Sequence, residues 1–194
     1  MEKIKRVPLA ISGVILGMAA LGNLLQSYGE GIRLIFGGVA FVLLLLLLCK
    51  AIFFPQVLKE EFSNPIGAGV TATFPMALML FSVYAKPFVP GIAFPLWCVA
   101  ILLQILLLLY FTKTYVLHFE EKNVHTVWYI VYVGIVVASL TSPAYKMQAL
   151  GQGIFYFGFI ALLILLVVVS KRYLKMPVPE PAKPLMMIYA APMA

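Results

Sequence analysis

His118 and His125 are the only histidines in the chain and lie either side of Glu120 and Glu121. Two imidazoles and a carboxylate are a donor set that zinc accepts. Their seven-residue separation matches no helical ligand spacing, however, and Glu120-Glu121-Lys122 is a charge run that suits a solvated connection. Ser139 and Ser142 are candidate nucleophiles, but no histidine or acid stands at their depth in the chain to take a proton. Cys49 and Cys98 make neither a disulfide framework nor a thiolate cluster; they read as small apolar packing residues. No catalytic or metal-binding constellation emerges, so the expectation is a protein that is not an enzyme and needs no cofactor.

Small and hydroxyl residues at helical spacing are more informative. Gly13, Gly17 and Ala20 share one face of a helix, and Ser12, Ala19 and Asn23 share a neighbouring one. Gly67, Thr71, Pro75 and Ser82 form a second stripe, and Gly134, Ala138, Thr141 and Ser142 a third. Residues of this kind either let helices approach closely, with Ser and Thr bonding back to their own backbone, or line a passage. Taken singly, each fits packing. Taken together, at equivalent places in successive elements, they would leave a path along a shared axis. Pro75 removes a helix bond and frees a carbonyl, which at mid-membrane depth needs protein or a water-lined cavity beside it.

The elements that position these stripes follow from the composition. The 194 residues are 63% hydrophobic and 11% charged, with a mean hydropathy of +1.05, whereas a soluble domain has about 25% charged residues. A helix crosses a bilayer core with about 20 apolar residues, and the expected spans are 7–28, 34–54, 65–85, 92–112, 124–142 and 151–170. Long continuous apolar runs exclude barrel strands, which alternate. The opening run resembles a signal peptide, but its length and the spans that follow favour an uncleaved first helix. Among Asp, Glu, Lys and Arg only Lys50 falls within the spans, near an end, where its ammonium is expected to snorkel to the interface.

Lys3, Lys5, Arg6, Lys50, Lys59, Lys113, Lys122, Lys171, Arg172, Lys175 and Lys183 fall on one side of the membrane, and only Arg33, Lys86 and Lys146 on the other. This asymmetry predicts a cytoplasmic amino terminus in the cell membrane. It also explains a pI of about 9.4 without nucleic acid. Residues 184–194 are all apolar but too few to span, and are expected to begin a seventh helix that continues in a longer protein.

The helix starts recur at Pro8, Pro65, Thr126 and Pro184, in steps of 57, 61 and 58 residues. Each step equals a helix pair. Two crossings return the chain to its starting side, so the repeats run parallel about an axis along the membrane normal. The expected fold is therefore an all-α polytopic bundle of helical hairpins. Its even helices, with the aliphatic blocks Leu43–Leu48, Ile105–Leu109 and Leu162–Val169, lie outside, and the small-residue odd helices inside.

Pro8 with Gly13-x-x-x-Gly17-x-Ala19-Ala20-Leu21, then Glu61-Phe62-x-x-Pro65, then Ala190-Ala191-Pro192 resemble the tellurite-resistance and C4-dicarboxylate transporter family, which includes plant slow anion channels. The resemblance runs along the whole chain and rests on the joint order of these short motifs. It implies ten helices in five hairpins, odd helices around a pore, a trimer, and cargo such as malate, sulfite, tellurite, chloride or nitrate. Thr126 stands where the family has a proline, and the family's pore-plugging phenylalanine falls beyond Ala194. No ionisable side chain is expected deep in a span, which favours passive passage over a proton-coupled carrier. Helix dipoles, hydroxyl and backbone donors and a basic mouth would then supply anion preference. The alternative is a non-transporting membrane subunit or assembly factor.

Overall fold

The structure, a computed structural model, describes residues 7–193. Lys3, Lys5, Arg6 and Ala194, and the side chains of Lys59, Glu61, Ala190, Ala191 and Pro192, lie outside the described residues. A chain this apolar must bond its backbone internally, and among the described residues it does so with helices and no strand. The first segment is α1 (Ile11–Leu24) with a 3₁₀ turn at Leu25–Tyr28, and the second is α2 (Glu30–Phe53). A short helix, α3 (Pro55–Phe62), leads to the third segment, α4 (Pro65–Thr71) and α5 (Thr73–Ala85). The fourth is α6 (Pro90–Phe111), extended by a π-helical turn at Thr112–Val116. The fifth comprises α7 (Val127–Val133) and α8 (Val136–Thr141), and the sixth is α9 (Gln148–Lys175), followed by α10 (Met186–Met193).

Five of these segments are continuous helices long and apolar enough to cross a bilayer, and the fifth is a short pair bent by 43°. Their bounds differ from the hydropathy expectation for local reasons. Gly29, at φ 153°, breaks the chain so that α2 begins at Glu30 rather than 34, with an acid in the first turn where the helix dipole favours it. Arg33 thereby joins the helix. Pro65 and Pro90 open their helices at the position where a missing N–H costs nothing. The Asn64 side chain accepts the Ile66 amide at 2.9 Å to cap α4. The fifth segment begins at Val127, leaving Val124, His125 and Thr126 in the preceding connection.

The first segment packs on the second and third, the third on the fourth and fifth, and the fifth on the fourth and sixth. The third is therefore central: 56% of its most apolar window is buried, against 17–28% for the other continuous segments. Close approach depends on glycine. Tyr84 of α5 fills a slot between Gly22 and Gly37, donates to Ala19 O at 2.9 Å, and supports the Arg33 guanidinium 4.5 Å above its ring. Arg33 in turn donates to Asn23 Oδ1 at 3.0 Å and pairs with Glu30 at 3.2 Å. At the other end, Lys50 is 1% exposed and donates to Val7 O at 2.6 Å. This corrects the expectation that it snorkels: protein rather than the interface receives the ammonium. Cys49 is half-buried, and Cys98 is exposed rather than packed within the bundle.

Gly69 on α4 faces Val127 so closely that an added Cβ would lie 2.6 Å from the valine Cβ. A β-branched side chain cannot swing away. Gly69→Val should therefore destabilise the protein by ~1–3 kcal/mol, as overpacking does, whereas Gly17→Ala, with open space beside it, should leave the unfolding midpoint in detergent unchanged.

Candidate functional site

The stripes read from the sequence divide once the helices are packed. On α1, Ser12, Ile15, Ala19 and Gly22 face neighbouring helices, whereas Gly17 and Ala20 are exposed and Gly13 is half-buried. An added Cβ at Gly13 or Gly17 meets nothing within 4 Å. Ser12 is 1% exposed; its hydroxyl donates to Leu9 O at 2.7 Å and lies 2.7 Å from Thr73 Oγ1. Asn23 is taken by Arg33, as described above.

On the third segment Thr71, Pro75 and Ser82 are buried and Gly67 is half-buried. Thr71 donates back to Gly67 O at 2.9 Å and Ser82 to Met79 O at 2.6 Å. On the fifth segment an added Cβ at Gly134 would lie 2.6 Å from Met76 Sδ, so this glycine brings the third and fifth segments together. Thr141 donates to Val137 O at 2.8 Å and accepts from Trp97 Nε1 at 2.8 Å. Ser142 donates to Ser139 O at 2.8 Å and presses on Gly151. The hydroxyls thus bond to their own helices or to neighbours. The open groove beside the third and fifth segments, about 450 Å³, is apolar and lined by Met76, Ile130, Val133, Gly134, Val137 and Leu140 among others.

Two helix interruptions shape these inner segments. At Ala72 the third segment changes from α4 to α5, and the Thr73 hydroxyl lies 2.8 Å from Val70 O. At Gly134–Ile135 the fifth segment bends. There Gln104 reaches across from α6, fully buried, and donates Nε2–H to Val131 O at 3.0 Å. The carbonyl of Val131 lies one turn before Ile135, where the regular ladder stops, and Gln104 supplies its donor. Sequence reading missed Gln104, though a single amide in the most aliphatic run of α6 was the available signal.

The two histidines do not come together. His118 is exposed, with Nδ1 3.2 Å from Lys113 O, while His125 is 5% exposed. Among the described residues no three His, Cys, Asp or Glu side chains converge. Burial first, and then the charge of Arg172, push the His125 imidazole down from 6.5 to about 4.

The helices, with lipid-length apolar surface outside and bent segments inside, define a multi-pass α-helical membrane protein with the build of a channel or carrier. The sequence profile of the voltage-dependent anion channel family, SLAC1, matches residues 6–194, and the chain belongs to that family. Membership supports anion transport through a channel-like protein. No curated protein sequence matches the chain.

Two outcomes test these contacts. Gln104→Leu, which leaves the Val131 carbonyl without its donor, should cost ~1–3 kcal/mol, read as a lower unfolding midpoint in detergent. His125 is neutral when folded and binds a proton more readily when unfolded. The stability it contributes is present above pH 6.5 and lost as pH falls toward about 4. The midpoint of the protein should drop across that window, and that of His125→Gln should drop less.

Proposed function

We propose that the protein conducts small anions passively across the cell membrane, with its amino terminus in the cytoplasm. The open face of the first segment, together with inner faces of the third and fifth, lines the passage. Cargo is a C4-dicarboxylate such as malate, or sulfite, tellurite or an inorganic anion, and the working assembly is a trimer, in line with the family resemblance. The observation that carries the reading is the run Gly13, Gly17 and Ala20. These small residues lie on an open helix face, while the alternate positions of the same helix are packed against protein. A helix that met only lipid would have no use for a bare face, since lipid contact favours long aliphatic side chains such as those on α2 and α9.

Pro75, Thr71, Ser82, Thr141 and Ser142 support the passage from behind by holding the bends, and Ser12 and Asn23 fix α1 to its neighbours. Gly67 and Gly134 set the spacing of the third segment and the approach of the fifth. Exclusion of cations falls to the basic residues at the two mouths, since no acid lies within the spans.

Reconstituted liposomes loaded with chloride, nitrate or malate should release the anion without an imposed proton gradient. Gly17→Phe should cut that flux by more than half while leaving the unfolding midpoint within about 0.5 kcal/mol of the parent, as exposed substitutions usually do. Unchanged flux in this variant would remove the first segment from the passage. Flux that required a proton gradient would replace the channel reading with a coupled carrier.

A further inference from the structure

At the end of the molecule nearest the amino-terminal side of α1, the start of the fifth segment lies against the end of the sixth. Arg172 of α9 is 3% exposed. Its Nη1 donates to Met176 O at 3.4 Å and Pro177 O at 3.2 Å, and its guanidinium lies 4.9 Å over the Tyr173 ring. Among the described residues no carboxylate pairs with it. Glu121, on the adjoining connection, is held by Lys175 at 3.2 Å. Carbonyl dipoles orient the guanidinium but do not cancel its charge, and its Nε–H has no acceptor.

Three more polar atoms at this seam are sealed and without a partner: His125 Nδ1, Thr126 Oγ1 and Tyr129 OH. Their residues are 5%, 0% and 5% exposed. His125 and Tyr129 stand four apart and Thr126 and Tyr129 three apart, so they share a side of the entering chain. The Thr126 amide donates to Tyr173 OH at 3.2 Å, and the Tyr129 hydroxyl is within electrostatic reach of Tyr173 and Tyr189, as His125 is of Arg172. Gln104 Oε1 is the one other buried side-chain atom without a partner among the described residues.

A hydroxyl can rotate toward any acceptor in reach, so two idle hydroxyls beside an idle Nε–H indicate a missing acceptor. Water would bring as many donors as acceptors and no charge. A small anion accepts from all three groups and balances the guanidinium, in charge-assisted bonds. We propose that Arg172 Nε–H and the hydroxyls of Thr126 and Tyr129 hold a resident inorganic anion of halide size, with His125 at its edge. The seam is sealed and has no open cavity for a polyatomic acid. The site is separate from the passage proposed above: its anion is a fixed ligand that ties the fifth segment to the sixth and to the 176–177 linker.

The test is equilibrium stabilisation of the purified protein in detergent, with sodium gluconate replaced by chloride or bromide at constant ionic strength. The unfolding midpoint should rise saturably, because a ligand bound only by the folded state stabilises it in proportion to the logarithm of its concentration above Kd. Thr126→Val and Tyr129→Phe, which remove one hydroxyl each and little volume, should together abolish the rise. Arg172→Lys should weaken it by tenfold or more. Should the double variant not fold, Thr126→Val alone decides, with a weakened halide response expected. An identical midpoint for the parent in gluconate and chloride would overturn the site, as would a full halide response in the hydroxyl variant. A response to sulfate or phosphate equal to that for chloride would overturn the size assignment. Because none of these readings uses flux, failure of this site and failure of the conduction reading are told apart.

Discussion

A carbonyl in hydrocarbon must have a donor, and in this protein that rule governs everything irregular. An unpaired buried polar group costs ~1–3 kcal/mol, so a helix within a bilayer can bend only where another part of the protein offers a hydrogen. The third and fifth segments are both interrupted, and both interruptions sit against neighbours that answer them. Thr73 lies against Val70 O, Gln104 serves Val131 O, and Trp97 bonds to Thr141 beside the end of α8. The same economy explains the cations. Lys50 turns to Val7 O and Lys86 to Ala144 O, while Arg33 is held by Asn23 and Glu30. Regular helices need none of this help, and α2 and α9 accordingly expose long aliphatic side chains along most of their length.

This division explains why the third segment is the most enclosed. It is bent, so it needs protein on several sides, and it touches the first, fourth and fifth segments. The fourth departs from a simple outer helix. Its Val99, Leu102, Leu106 and Leu109 are exposed, but Trp97 and Gln104 are fully buried and attend the fifth. An aliphatic surface and a polar interior therefore coexist on one helix, in stripes that mean hydropathy does not separate.

The bundle was legible in the sequence because bilayer thickness leaves so few choices: length and apolar content alone mark the segments, and the family motifs add their order. The bend in the fifth was not. Gly134 looked like one more small residue in a stripe, and nothing local distinguishes a glycine that admits Met76 from one that faces open space, as Gly17 does. The hydroxyl stripes were found at the right spacing, but whether Thr71, Ser82 or Ser142 points to a cavity or to its own carbonyl depends on rotamer and neighbour, which spacing does not encode. Arg172 was visible only as one positive charge among several at a mouth. Its burial comes from tertiary contact with Tyr173 and the linker carbonyls.

The slot between Gly22 and Gly37 has a further consequence for how the molecule is made. These glycines belong to the first hairpin, but the ring that fills the gap between them, Tyr84, is synthesised almost fifty residues after Gly37. A nascent hairpin released from the translocon would therefore hold a groove that its own side chains do not close. Maturation of the amino-terminal pair is coupled to arrival of the next one, so biogenesis proceeds as an overlapping relay in which each newcomer locks its predecessor.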